Sequence, residues 1–410
     1  MANPPLRFVQ SGDLHLESPL YGVAEIPESL RDAFVDAPYS AAEKVFDAVL
    51  AEDAHFLLLC GDVLDPHSAG ARGILFLVDQ FERLAENDVP VYWVGGSVDP
   101  PDAWPSAAPL PENVHVFPRG RSTETLFSYD ERPAARICGG GRGGPSLIHA
   151  GDFATIDDGV FSIAVAHGEA DESALTQRPI DYWALGGRHG RQTLATSPVG
   201  VHYAGSPQGR CPAETGQHGC TLVDVDESHK TTLKLIPTDS LQWQSERLVL
   251  DADANERKLE EALRERTHRL IAGSSGRHLM ISWTVAGNSP VIAALRRGKL
   301  ADESLAKLRS AFGQQGTAAW TVAIEAEAPA EFPNRWYQED TMLGEFLRNA
   351  SRLRAEPAEQ IDLQRYIGTE HAKTAVAAAV AINDAETRQL VLHQAAILGV
   401  DLLRGEEAST

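Results

Sequence analysis

Phe56-Leu57-Leu58-Leu59-Cys60-Gly61-Asp62-Val63-Leu64-Asp65 joins an apolar run to a glycine and two aspartates. A short continuous apolar run reads as a strand buried on both faces, which places the first carboxylate at the strand's carboxyl end. Other stretches repeat the arrangement. Residues 6–10 lead to Gly12-Asp13-Leu14-His15, residues 91–94 to Gly96-Ser97-Val98-Asp99, and residues 182–185 to Gly186-Gly187-Arg188-His189. Residues 163–166 deliver a lone His167. Acidic and imidazole side chains at neighbouring strand ends converge on one sheet edge, and distant sequence builds a metal site in this way. The pattern predicts Asp13, His15, Asp62, His167 and His189 together at one end of the fold.

Helical patterns at residues 41–50 and about 74–86 separate the first strands, so the region 6–187 alternates as an α/β layered fold does. Residues 100–111 and 139–144, rich in Pro and Gly, read as loops. Residues 220–225 and 232–236 are strand-like and complete a core expected over 1–242. Beyond it, strands at 247–250, 279–283 and 320–324 alternate with helices at 255–270 and 300–312. They predict a small α+β capping domain over 243–330. A helical, Ala-rich tail over 331–410 ends in a helix at 386–403. Its Val391, Ala395, Leu398 and Leu402 share one face, suited to packing on the core or to a partner's groove.

At 410 residues the chain is too long for one small core. Its net charge of −22 argues against a whole-protein electrostatic grip on nucleic acid and leaves room for a local basic patch. The four cysteines show no C-x-x-C spacing, which favours reduced, buried thiols. No basic-then-apolar leader is present, and no apolar run approaches the roughly 20 residues that cross a bilayer. A cytoplasmic protein without a membrane partner is the expectation.

Taken in order, the motifs resemble D-x-H, G-D-x-x-D, G-N-H-D, a lone H and G-H-x-H of the calcineurin-like metallophosphoesterases. The resemblance implies a two-sheet α/β/β/α sandwich. It also implies two metal positions, one held by Asp13, His15, Asp62 and His189 and the other by Asp62 and His167 with two further ligands. Those further positions carry Ser97 and Gly187 here, so one metal site is favoured over two. Manganese is the metal the resemblance implies, with iron or zinc as alternatives. The family's proton-donating His falls on Val98, which can donate nothing, while Asp99, its orienting partner in the family, is retained. No catalytic residue is therefore secure, and His67 and Arg188 are the nearest replacements in sequence. Restoring Ser97→Asn, Val98→His and Gly187→His together is expected to raise activity.

Asp181-Tyr182-Trp183-Ala184-Leu185-Gly186 looks like the D-Y-x-A-L-G of the SbcD-like DNA-repair exonucleases. Tyr203-Ala204-Gly205-Ser206-Pro207-Gln208-Gly209-Arg210, then Glu214-Thr215-Gly216 and Gly219-Cys220, is similar to the branch's Y-x-G-S-P-x-x-R and E-x-G-x-K-G region. His218 stands where Lys is frequent. The resemblance places Arg188 and Arg210 in a substrate channel. It also implies an SMC-like coiled-coil ATPase as partner, a homodimer, and hydrolysis of phosphodiesters at DNA ends, here with reduced activity. The alternatives are an inactive scaffold or DNA-binding subunit and, third, a small-molecule phosphoesterase.

Overall fold

The computed structural model describes residues 4–120, 122–140, 147–156, 158–313, 318–329, 332–356 and 384–404. Most of the expected glycine loop, 141–144, and the middle of the expected helical tail, 357–383, lie outside the described residues.

The strands run in chain order as β1 (Leu6–Ser11), β2 (Phe56–Leu59), β3 (Val91–Val94), β4 (Val114–Phe117), β5 (Thr123–Tyr129), β6 (Arg132–Gly139), β7 (Phe161–His167), β8 (Tyr182–Gly186), β9 (Gln192–Ala195), β10 (Gly200–Tyr203), β11 (Gly219–Val225) and β12 (Thr231–Pro237). They form two six-stranded sheets, ordered β12-β11-β1-β2-β3-β4 and β5-β6-β7-β8-β10-β9. In the first sheet β1 to β4 are parallel, and in the second β6, β7, β8 and β10 are parallel. Antiparallel β5 and β9 form the edges of the second sheet. The parallel strands explain the site, because every motif leaves the carboxyl end of one of them.

Phe8, Phe56, Leu58 and Tyr92 of the first sheet interdigitate with Ile163, Val165, Tyr182 and Ala184 of the second. Gln10, fully buried between the sheets, accepts from the Tyr182 hydroxyl at 2.6 Å and donates to the carbonyls of Leu185 and His202. The outer face of the first sheet carries the helices Glu28–Ala51 and Gly70–Ala85, through Val45, Phe46, Leu77 and Phe81. The second sheet's outer face is covered more thinly, by the short helix Glu172–Thr176 and by Ile148 and Phe153. Both faces of each central strand are therefore apolar, and continuous hydrophobic runs follow.

The first helix is longer than the predicted 41–50, because its chain runs through Pro38, which is buried. Strands β4, β5, β6, β9 and β10 add to those expected from sequence. A further sheet has the order β13 (Leu241–Leu250), β14 (His278–Gly287), β15 (Ala319–Ala326), accompanied by the helices Glu256–Gly273, Pro290–Arg296 and Lys299–Phe312. By contacts the chain divides into two compact units. One is Met1–Ser245 with Leu270–Ile281 and Phe312–Trp320, and the other is Glu246–Arg269, Ser282–Ala311 and Thr321–Thr410.

Within the second unit the helices Met342–Ala355 and Ala385–Arg404 pack through Leu347, Phe346, Ala396, Ile397 and Val400. A Cβ on Gly399 would stand 2.1 Å from the Phe346 ring, so glycine permits the close approach. Asp401 pairs with Arg296 at 3.0 Å. The stripe singled out in sequence is not this packing face. Ala395, Leu398 and Leu402 are exposed and Val391 is half-buried, on the side of the helix opposite Ala396 and Val400.

Candidate metal centre

The first two motif loops are tied backbone to backbone, Asp13 N–H to the Gly61 carbonyl at 2.9 Å and His15 N–H to the Asp62 carbonyl at 3.0 Å. Asp13, His15 and Asp62 all take left-handed backbone conformations, at φ 52°, 45° and 52°. Non-glycine residues rarely adopt them, and such strain concentrates where side chains must be aimed. Gly61, at φ 85°, has no alternative. A Cβ there would meet His167 Nδ1 at 2.7 Å and Gly96 Cα at 2.8 Å.

Each imidazole is fixed through Nδ1. His15 donates to Glu17 at 3.2 Å, His189 to Glu214 at 2.7 Å, and His167 to the Cys60 carbonyl at 2.9 Å. With Nδ1–H committed in this way, Nε2 becomes the free ring atom, and these partners set tautomer and ring orientation. The Nε2 atoms of His15 and His167 stand 3.6 and 3.4 Å from Asp62 Oδ2. His15 Nε2 is buried without a hydrogen-bond partner. The ligand atoms of Asp13, His15 and His189 lie within 4.8 Å of one another, as do those of Asp13, Asp62 and His167. A buried orphan ring nitrogen among carboxylate oxygens and imidazoles fits a divalent ion such as manganese, iron or zinc.

The third and fourth motifs act here through their backbones. Asp62 Oδ1 accepts from the N–H groups of Ser97 and of Val98, the latter at 3.0 Å. Both Asp13 oxygens accept from Gly187 N–H, at 3.0 and 3.1 Å. Gly187 sits at φ 99°, where an added Cβ would lie 3.1 Å from Gly168 N and 3.3 Å from His167 Nε2. A side chain at this position would face the site, but at a backbone conformation that only glycine takes without strain. Asp99 clamps the loops. Its two oxygens accept from the N–H groups of Asp62, Gly96 and Val63 and from Trp93 Nε1, at 2.7–3.1 Å.

Charge follows from this burial. Desolvation pushes Asp99 up to about 6 and also raises Asp13. Burial works against ionised Asp62 and protonated His167 as well, but their mutual hydrogen bond and charge prevail, holding Asp62 at about 2 and His167 at about 9. The Glu214 bond raises His189, opposed by burial. In Glu17 burial is outweighed by the His15 bond and by backbone donors, leaving the carboxyl below its ordinary value.

The five predicted ligands therefore come together, with Asp13 common to both close groups. Arg188 is engaged elsewhere, in an ion pair with Glu169 and a hydrogen bond to Gln192, its guanidinium 4.8 Å from the Tyr203 ring centroid. His67 is exposed on its loop. Glu17 was not singled out from sequence, nor was Glu214 given a role at the metal. Glu17 follows His15 by two residues, and Glu214 lies in the quoted E-x-G motif, so the residue types were visible and the pairing was not.

Residues 6–172 match the calcineurin-like phosphoesterase family. An uncharacterised metallophosphoesterase, YhaO, of Bacillus subtilis strain 168 is 33% identical over 234 residues. That match covers 54% of this chain and only 57% of the relative's length. The solved structure of vacuolar protein sorting 29 from Cryptosporidium parvum aligns at 17% identity over 57% of this chain and 97% of that one, with a TM-score of 0.25. The paired parallel sheets, the strand-end donors and the family match agree: the chain carries a calcineurin-like metallophosphoesterase domain.

Proposed function

We propose that this protein is a metal-dependent phosphodiesterase of nucleic-acid ends, resembling the SbcD-like branch, whose rate is limited by the loss of a proton donor. The observation that carries the reading is the inward-facing set of three imidazoles and two carboxylates, each oriented by a further hydrogen bond. Asp13, His15, Asp62 and His189 would hold one divalent ion, with Asp62 and His167 contributing to a second position. Bound there, a divalent ion would supply Lewis-acid charge to phosphoryl oxygens and lower the pKa of a bound water toward neutral. Against burial, Asp62 is kept anionic chiefly by His167 and is oriented by the Ser97 and Val98 N–H groups, and His15 and His189 are kept in register by Glu17 and Glu214. Val98 cannot protonate a leaving group, and losing a positioned general acid costs about 10²–10⁴ in rate.

A second reading, a binding or scaffolding subunit with one metal, is favoured by Val98 and Gly187 at the positions of family histidines. Hydrolysis of bis(p-nitrophenyl) phosphate with added manganese separates the two. The phosphodiesterase reading expects slow, metal-dependent turnover that Asp62→Asn abolishes. It also expects Ser97→Asn with Val98→His to raise that turnover, without Gly187→His, whose backbone strain argues against including it. Wild-type protein that binds manganese and turns over no faster than Asp62→Asn would favour the scaffold.

A further inference from the structure

We propose that Arg210 is the phosphate anchor of this site, its guanidinium binding non-bridging oxygens of a phosphoester held at the metal centre. The inference rests on the reading of the site as a phosphoesterase centre. The two arginines that the resemblance singles out, Arg188 within the last motif and Arg210 beyond it, are treated differently by the structure. Arg188 is exposed to solvent in part and already paired with Glu169. Arg210 is 6% exposed, its Nε lacks any hydrogen-bond partner, and no ion pair to it is formed among the described residues. The carboxylate four residues away does not serve it. Glu214 Oε1 holds the His189 ring, and Oε2 accepts from the backbone N–H of Arg210 at 2.7 Å.

Placement supports the assignment. Arg210 lies beyond the carboxyl end of β10, which runs parallel to β8 and so leads to the same sheet edge. Ser206 N–H donates to the His189 carbonyl at 2.9 Å, packing this segment on the last motif. Tyr21 N–H fixes the Arg210 carbonyl at 2.9 Å. A buried cation without a counter-ion is costly, and its guanidinium fork fits two phosphate oxygens. The substrate's own anion satisfies both conditions, whereas a permanent protein carboxylate would compete with it.

Binding of inorganic phosphate tests this without turnover. Calorimetric titration of protein carrying one equivalent of zinc should show about 10- to 100-fold weaker phosphate binding in Arg210→Gln, the loss of one or two charge-assisted hydrogen bonds. Arg210→Lys should recover part of it, because it keeps the charge and loses the fork. In wild-type protein, zinc-loaded and metal-free, the Arg210 Nε–H resonance is followed as phosphate is added, so that misfolding of a variant decides nothing. A saturable shift in either form supports the anchor. Absence of a shift in both, or unchanged phosphate affinity in folded Arg210→Gln, overturns it. If phosphate binding depends on Arg210 while no phosphodiester is cleaved, the hydrolase reading fails and the anchor stands. Cleavage with unaltered KM in Arg210→Gln overturns the anchor and leaves the hydrolase reading standing.

Discussion

At the sheet edge His15 and His189 each rest on a carboxylate, while His167 rests on a backbone carbonyl. Supports of this kind orient a ring nitrogen and raise its basicity, and losing one costs about 10–100-fold in metal affinity. Glu214→Gln should therefore weaken manganese binding by about that factor, as read by calorimetry, with little change in the unfolding midpoint of metal-free protein. A second expectation concerns pH. His167 is raised to about 9 by its bond and charge contacts with Asp62, against the opposing effect of burial. A raised pKa means that its contribution to stability is whole below the unfolded value of about 6.5 and is lost as pH rises through 9. Asp99, pushed to about 6, has largely ionised before that window and does not confuse it. Urea unfolding of metal-free protein should show stability falling between pH 6.5 and 9.5, and His167→Gln should reduce the fall, leaving the part that His189, also raised, contributes. Saturating zinc should weaken it too, since an ion held by Asp62 competes with the His167 proton for the same carboxylate.

At the scale of elements, the strands that build the site were legible because burial on both faces left continuous apolar runs ending in Asp or His. The less regular elements were harder to read. Edge strands β5 and β9 are largely exposed and polar, and the first half of Glu28–Ala51 is hidden by Pro38. Convergence of Asp13, Asp62, His167 and His189 was readable from strand order alone. The pairing of Glu17 and Glu214 with histidines depends on loop geometry, which periodicity does not encode. Asp99 was read by resemblance as the orienting partner of a histidine absent here. It is instead the buried acceptor for four donors that joins the loops after β2 and β3. Asp99→Asn would turn an amide NH₂ toward two of those donors, and each buried donor left unpaired costs about 1–3 kcal/mol. Denaturant titration should register at least that loss, together with weaker metal binding as Asp62 loses its anchor.

At the scale of the whole molecule, the helix Ala385–Arg404 has one face committed to Leu347 and Phe346 and another bearing Leu398 and Leu402, which are 50% and 57% exposed. An SMC-like ATPase of the kind the sequence resemblance implies would have only the second face of this helix to dock on, since the first is covered. Leu398→Ser with Leu402→Ser should keep the melting temperature and abolish association with such a partner. Ile397→Ala, on the packed face, should cost about 2–5 kcal/mol. Retained binding by the double variant would remove the tail from the docking role.

Anomalous diffraction from crystals grown with manganese tests most directly whether strand-end donors from both sheets form one metal centre. The strongest peak is expected among Asp13, His15, Asp62 and His189, with a weaker peak or none beside His167. Manganese bound only elsewhere, or no anomalous density between these side chains, would contradict it.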